Sequence, residues 1–180
     1  MSGAGSITDY TLTEVAVGIK KKKFSSEEVT KECLNLVHQA QPKLNCFISI
    51  DAEAAIESAR KADRGLASGN KLGMLHGVPL AHKDMFYRSG RVTTCGSKIR
   101  RDFVADRTST VLARLERAGA LYLGGLNMSE FAVGPFGTNV HFGNCHNPWD
   151  SMRSAGGSSS GSGAATAARI VYGAFGSDTG

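Results

Sequence analysis

Helical segments alternate with short apolar runs along most of this chain, and that alternation restricts its fold more than any other feature. Apolar residues recur at helical spacing in three segments, which follow Ser25, Ala52 and Ser109. Two short apolar runs, 45–50 and 120–123, are typical of strands. Strands that alternate with helices form parallel or mixed sheets. The sequence therefore predicts an α/β domain in which helices flank a mixed β-sheet.

Local signals predict where several helices begin and end. Ser25 and Glu28 have the spacing of a capping box, in which each side chain accepts a hydrogen bond from the backbone of the other. Pro42 is expected to stop the helix that follows, because proline cannot donate a backbone hydrogen bond. Ser109 is expected to cap a later helix, and Gly119 suits a left-handed exit from it.

The composition is that of an ordinary folded domain. Apolar residues make up 41% of the chain and charged residues 21%. The net charge is +5 and the pI about 9.1, but the only run of like charge, 20–23, lies at the end of a predicted helix. Cations there complement the helix dipole. No aromatic residues alternate with basic ones as a base-stacking surface requires, so direct nucleic-acid binding is not expected.

Features that would direct the chain to a membrane or an oxidising compartment are missing from the sequence. Residues 1–10 are polar and lack the apolar core of a signal peptide. No uninterrupted apolar stretch approaches the ~20 residues that span a bilayer. We therefore expect a cytoplasmic protein that does not cross a membrane, with free thiols on its scattered cysteines. These are Cys33, Cys46, Cys95 and Cys145.

A short histidine- and cysteine-containing segment raises the question of a zinc site. His141, Cys145 and His146 lie close together in the sequence. Their spacing matches no standard set of zinc ligands, and no second cluster completes a four-ligand site. We expect no metal.

The segment 154–163 consists almost entirely of glycine and serine, and 164–168 continues with alanine and threonine. The chain has 22 glycines, whereas average usage of about 7% would give roughly a dozen. A flexible linker would need polar, unstructured sequence on both sides. Here a predicted small-residue helix follows at once, so a structured loop is favoured over a linker.

Two known motifs match this glycine-serine segment only in part. A phosphate-binding loop needs a lysine after its last glycine, but Ser162 and Gly163 follow Gly161. A nucleophile elbow fits the G-x-S-x-G pattern with Ser159 at its centre. That motif also needs a preceding strand and a later histidine, whereas the last histidine is His146. Neither alternative accounts for the surrounding sequence.

Five separate segments together resemble the amidase signature family. They occur in the family's order and at about its spacing, and the similarity extends over nearly the whole chain. Ser160 differs from the family's usual glycine, and His82 from a more usual apolar or small residue. These two differences bear on substrate range more than on reaction class. The five segments are 77–84 (GVPLAHKD), 127–132 (NMSEFA), 147–150 (NPWD), 156–161 (GGSSSG) and 176–180 (GSDTG).

The resemblance implies a catalytic triad of two serines and a lysine. Lys83 matches the family's triad lysine, and Ser158 matches the bridging serine, which in the family follows a cis peptide bond. The attacking serine is expected two residues beyond Gly180. A lysine can act as a base only when it is neutral, and its free pKa is about 10.4. Burial beside the apolar run 78–81 is therefore expected to lower the pKa of Lys83.

Further site residues follow from the same resemblance. Thr179 and Gly180 are expected to supply the first part of an oxyanion hole through their backbone N–H groups. Met128 and Ser129 are expected to lie beside the substrate amide. Ser159 is interpreted as a hydrogen-bonding neighbour, and Asp84 is expected to hold a loop through backbone hydrogen bonds.

The function implied is hydrolysis of a carboxamide C–N bond through an acyl-enzyme, with a small-molecule amide as substrate and no cofactor. Residues 1–180 are then expected to be the N-terminal portion of a single, truncated amidase domain. The differences at His82 and Ser160 favour a free-standing amidase, and a homodimer is compatible with it. The alternatives are the A subunit of a tRNA-dependent amidotransferase, which meets nucleic acid only indirectly, or an inactive truncated fragment.

Overall fold

The computed structural model describes residues 6–178. Within them the chain forms α-helices, short 3₁₀-helices and one β-sheet. The α-helices are α1 (Leu12–Lys20), α2 (Ser26–Leu44), α3 (Ala52–Ala67), α4 (Thr110–Arg117) and α5 (Ser160–Ala167). The strands are β1 (Phe47–Ile50), β2 (Pro79–Lys83), β3 (Leu121–Leu126) and β4 (Ala174–Phe175). The 3₁₀-helices are Ile7–Asp9, Lys98–Arg100 and Glu130–Ala132.

The strands lie in the order β1-β3-β2-β4. Strand β1 runs antiparallel to β3, whereas β2 runs parallel to both β3 and β4. The sheet is therefore mixed, and helices pack on both of its faces, which confirms the predicted α/β class. Strand β2 lies inside the sheet and every one of its residues is buried.

Each face of the central strands packs into its own apolar cluster, because successive strand residues point to opposite faces. Ala81 of β2 and Leu123 of β3 pack with α2 and α5 on one face. Leu80 and Tyr122, their neighbours in sequence, pack with α1 and α4 on the other. The residue at the end of β2 is thereby directed to the face that α5 covers.

Helix α2 begins as predicted but ends later. The Ser25 hydroxyl accepts from the Glu28 N–H, and the Glu28 carboxylate accepts from the Ser25 N–H, which confirms the capping box. The prediction that Pro42 stops the helix is wrong. Only one backbone donor is lost there, and the helix continues to a left-handed cap at Asn45, whose N–H donates to the Gln41 carbonyl. The predicted strand 45–50 accordingly begins at Phe47.

The two expectations for helix α4 have different outcomes. Ser109 occupies the N-cap position, but its side chain makes no capping hydrogen bond and its hydroxyl is buried without a partner among the described residues. Gly119 has a φ of +93°, which confirms the left-handed exit. A Cβ at this position would lie 2.7 Å from the Cα of His76, so the close approach also requires glycine.

Helix α5 begins inside the glycine-serine segment, four residues before the predicted helix 164–168. The first N–H groups of a helix need acceptors outside it. The Gly161 N–H finds one in the Asn127 carbonyl at 2.8 Å. A Cβ on Gly161 would lie 2.3 Å from the Cys46 carbonyl oxygen, so only glycine allows the first turn to dock this closely. The prediction placed the helix start too late because this acceptor is remote in sequence.

Three further observations concern the class of protein. No helix among residues 6–178 is long and apolar enough to cross a membrane. The same residues contain no group of three or more His, Cys, Asp or Glu side chains arranged to hold a metal ion. All four cysteines are free thiols.

Candidate active site

Strand β2 delivers Lys83 into the interior of the molecule. Lys83 is the last residue of the strand, and its exposed fraction is 0%. A charged ammonium is costly to bury, because it loses its hydration. Burial therefore lowers the pKa of the Lys83 side chain from its ordinary value of 10.5, while the negative charge of Asp178 acts in the opposite direction. Burial thus shifts this side chain towards the neutral amine that a base requires.

The Lys83 side chain reaches the glycine-serine segment. Its Nζ lies 2.6 Å from the Ser158 Oγ, although the two residues are 75 positions apart in the chain. The peptide bond between Gly157 and Ser158 is cis. The Ser158 carbonyl accepts a hydrogen bond from the Ser129 N–H at 3.0 Å, which ties the segment to the end of β3. Two of the residues that the resemblance singled out are thus in direct contact.

A third side chain, Ser177, also contacts the lysine amine. The Ser177 Oγ lies 2.9 Å from the Lys83 Nζ and 3.2 Å from the Met85 Sδ. The sequence analysis missed both contacts. Ser177 was noted only as part of the segment 176–180, and nothing in the local sequence indicates that its hydroxyl faces the lysine. Met85 gave no signal at all.

Ser159 fixes the backbone that carries Ser177. The Ser177 N–H donates to the Ser159 Oγ at 3.1 Å, and the Ser159 hydroxyl donates to the Ser177 carbonyl at 3.1 Å. This pair of bonds confirms that Ser159 is a hydrogen-bonding neighbour. It also links the two glycine-rich segments directly.

Met128 and Ser129 lie beside this cluster at the end of β3. Ser129 is buried and contacts the backbone of Ser158, while its own hydroxyl donates to the Gly134 carbonyl at 3.1 Å. Met128 is fully buried, and its carbonyl accepts from the Asn139 side chain at 2.8 Å. The oxyanion residues Thr179 and Gly180 lie outside the described residues.

Asp84, the residue after the lysine, holds the following loop. Its carboxylate accepts hydrogen bonds from the backbone N–H of Thr94, at 2.9 Å, and from the Thr94 hydroxyl. Burial raises the pKa of the Asp84 carboxyl to about 6, although the bonds from Thr94 and the charge of Arg100 act to lower it. The expectation that Asp84 holds a loop is confirmed.

His82 points to the opposite face of β2 from Lys83. Its ring packs edge-on against Tyr122, and its Nδ1 lies 3.2 Å from the Lys83 carbonyl oxygen. Burial lowers the pKa of His82 to about 4, so the ring is neutral at ordinary pH. The unusual residue before the lysine therefore shapes the sheet's other face and makes no contact with the Lys83 amine.

The histidines considered for zinc have other neighbours. His141 Nε2 lies 3.0 Å from the Glu130 carboxylate, and His146 Nδ1 lies 3.0 Å from the Ser151 carbonyl oxygen. Cys145 is buried in the apolar cluster with α2 and α5. Each of these three side chains thus has different neighbours.

Sequence comparison defines the class of protein to which this fold and this lysine-serine contact belong. Residues 28–180 match the family described as Amidase. The chain therefore belongs to the Amidase family, and its fold is the amidase-signature fold.

Individual relatives support the same assignment. The chain is 47% identical over 170 residues, or 94% of its length, to the A subunit of the glutamyl-tRNA(Gln) amidotransferase of Ectopseudomonas mendocina. A solved structure described as a vestigial protein complex, bearing on the origins of an s-triazine catabolic enzyme, is 40% identical with a TM-score of 0.87. That match covers 90% of this chain and 36% of the other. A solved fatty acid amide hydrolase is 26% identical with a TM-score of 0.91, over 95% of this chain and 30% of its own.

Each of these matches covers most of this chain but only about a third of the relative. The chain spans 35% of the length of the amidotransferase protein that it matches, or about a third. The chain therefore corresponds to only part of this relative.

Proposed function

We propose that residues 1–180 are the N-terminal portion of an amidase domain that hydrolyses a carboxamide C–N bond. The observation that carries this proposal is the contact between the buried Lys83 amine and the Ser158 hydroxyl, at 2.6 Å, in a chain of the Amidase family. Burial suits the lysine to the neutral form, and a hydroxyl can both accept and donate a proton.

In this proposal Lys83 is the base and Ser158 relays the proton. The nucleophile is proposed to be a serine two residues beyond Gly180, as the resemblance implies. As that hydroxyl attacks the amide carbon, its proton passes to Ser158, and the Ser158 proton passes to Lys83. The same route returns a proton to the leaving nitrogen when the C–N bond breaks, which leaves an acyl-enzyme. Water then attacks the ester with the same base, releasing the acid and restoring the serine.

The developing negative charge needs hydrogen-bond donors, and we assign its stabilisation to the second glycine-rich segment. Thr179 and Gly180 are proposed to supply backbone N–H groups to the oxyanion. Ser129, whose N–H donates to the Ser158 carbonyl, and its neighbour Met128 are proposed to line the position of the substrate amide. The chemistry calls for no cofactor, because the base and the nucleophile are both side chains.

Substitution of the lysine tests the proposed function. In the full-length protein, Lys83→Ala and the more similar-sized Lys83→Met are expected to lower kcat by about a thousandfold, the usual scale for loss of a general base. Ammonia release from benzamide and from glutamine gives the rate. An exposed lysine supplies the control, since Lys61→Ala is expected to leave the rate unchanged. Near-normal turnover by folded Lys83→Met protein would refute the proposal.

The pH profile gives a second measurement on the same residue. The free enzyme needs neutral Lys83, so kcat/KM is expected to rise with pH and level off once the lysine is deprotonated. Because burial lowers the pKa of Lys83, this plateau is expected to begin below pH 10.5. An activity that keeps rising beyond pH 10.5 would show that the base is an ordinary, exposed amine.

A second candidate function is supported by the 47% identity to an amidotransferase A subunit. In that case the released ammonia would serve a partner protein, and glutamine would be the natural substrate. The two candidates differ in a simple measurement: a free-standing amidase is expected to prefer benzamide without any partner. Preference for glutamine, with a rate that rises when a partner protein is added, would favour the amidotransferase. The free thiols are consistent with a cytoplasmic enzyme in either case.

A further inference from the structure

A neutral lysine amine can act as a base only in one orientation. It carries two hydrogens and one lone pair, and the lone pair must face the hydroxyl whose proton it takes. At Lys83 two hydroxyl groups can donate a hydrogen to this lone pair, since the Nζ lies 2.6 Å from the Ser158 Oγ and 2.9 Å from the Ser177 Oγ. If Ser177 donates its hydrogen to the amine, the base is blocked.

The Met85 sulfur offers the Ser177 hydroxyl an acceptor other than the Lys83 amine. A serine hydroxyl has one hydrogen and two acceptor sites, whereas a thioether sulfur can only accept. The Ser177 Oγ lies 3.2 Å from the Met85 Sδ, with the hydroxyl as donor. When the hydrogen points to sulfur, Ser177 has only acceptor sites left for Lys83, and the amine must give it an N–H.

The backbone holds all three partners in place. Directly after β2 the chain turns back, with the Met85 N–H donating to the Lys83 carbonyl at 2.8 Å, so Met85 stays beside the lysine it follows. Ser177 is fixed from the other side by its two backbone bonds with Ser159. The described charged group that acts on the Lys83 amine is Asp178, whose charge favours the ammonium form. Hydroxyl orientation therefore decides the direction of the lone pair once the amine is neutral.

We propose that Met85 and Ser177 are positioning residues for the base. Met85 draws the Ser177 hydrogen away from Lys83, Ser177 accepts an N–H from the amine, and the lone pair is left facing Ser158. The inference rests on the proposed function, because it assigns a role only if Lys83 is the base. It predicts that the thioether acts on catalysis through Ser177 and has no separate effect.

A double-mutant cycle in the full-length protein tests this. Met85→Leu keeps the volume but removes the acceptor, so the Ser177 hydrogen is free to occupy the lone pair. We expect kcat to fall about fivefold to tenfold with KM unchanged, the scale of one competing hydrogen bond. Ser177→Ala is expected to lower kcat by a similar factor. In the Ser177→Ala background, Met85→Leu is expected to have no further effect, whereas loss of packing would add.

Controls separate orientation from folding. Ser177→Thr keeps a hydroxyl at the same place and is expected to recover most of the activity that Ser177→Ala loses. Met152 is 92% exposed, so Met152→Leu is expected to leave kcat unchanged. Unfolding temperatures of all variants identify any that fold poorly.

The outcomes distinguish this inference from the proposed function. The assays use whichever of benzamide and glutamine the wild-type protein hydrolyses. Activity retained by Lys83→Met would overturn the proposed function and the inference with it. If Lys83→Met is inactive but Met85→Leu lowers kcat equally with and without Ser177, the positioning role alone is overturned. A wild-type kcat for Met85→Leu would overturn the positioning role in the same way.

Discussion

The helical region, residues 12–67, and the small-residue region, residues 124–178, are held together by different kinds of contact. In the helical region two helix starts are capped within a few residues, by Thr11 with Glu14 at α1 and by the reciprocal hydrogen bonds of Ser25 and Glu28 at α2. In the small-residue region the decisive bonds join distant backbone groups. The Gly161 N–H reaches the Asn127 carbonyl at 2.8 Å, and the Asn127 N–H reaches the Cys46 carbonyl at 2.8 Å.

This difference explains where the lysine-serine contact is built. Large side chains keep backbones about 10 Å apart, as in packed helices and sheets. Glycine and serine let the first turn of α5 dock directly onto the backbone at the end of β3, next to Lys83 at the end of β2. In the small-residue region, residues with low helix propensity allow the backbones to approach closely. The stability of this region should therefore depend on whether single added atoms fit, more than on helix propensity.

The largest effect on stability is expected from a substitution that prevents the close approach of α5 to the end of β3. Gly161→Ala places a Cβ 2.3 Å from the Cys46 carbonyl oxygen and 2.5 Å from the Asn127 nitrogen, both backbone atoms that cannot move alone. Overpacking of this kind costs typically up to about 3 kcal/mol. We expect the free energy of unfolding of the full-length protein to fall by about 3 kcal/mol in denaturant titrations.

Two residues further along the same helix, the opposite result is expected. A Cβ on Gly163 would meet nothing within 4 Å. Gly163→Ala should therefore show only the gain in helix propensity, about 1 kcal/mol of stabilisation. If both glycine variants raise the unfolding free energy, propensity governs this helix and the comparison between the two regions fails.

A smaller loss of stability is expected when the Asn127 side chain, which bonds to two other segments of the chain, is removed. Asn127 is fully buried, and its amide donates to the carbonyls of Asn45, at 2.9 Å, and Gly143, at 3.0 Å. Asn127→Ala leaves these acceptors without their donor, and an unsatisfied buried group costs about 1–3 kcal/mol. We expect a loss of about 2 kcal/mol, measured in the same titrations. Asn35→Ala, on the exposed side of α2, serves as control and should change stability by less than about 0.5 kcal/mol.

The same contrast explains which features the sequence could predict. The mixed sheet, the capping box at Ser25 and the left-handed Gly119 depend on periodicity or on neighbours, so their signals lie in short windows. The start of α5 depends on an acceptor that only the folded chain brings near, the Asn127 carbonyl. Helix α2 persists past Pro42 because a single lost donor is not enough to end it. Lys83 and Ser158 were singled out through a family resemblance. Ser177 and Met85 were not, because the contacts of Ser177 with the amine and with the Met85 sulfur cross 94 and 92 positions.

The smallest expected effect comes from the N-cap serines of two helices, Ser25 at α2 and Ser109 at α4. Ser25→Ala removes a hydroxyl that accepts from the Glu28 N–H at 3.0 Å, and loss of such a cap costs about 1 kcal/mol. Ser109 holds the same position at α4, but its hydroxyl is buried and makes no capping bond. Ser109→Ala therefore removes an unsatisfied group and should leave stability equal or slightly higher. Equal losses at Ser25 and Ser109 would mean that the residue type at the N-cap, and not the bond it makes, determines stability there.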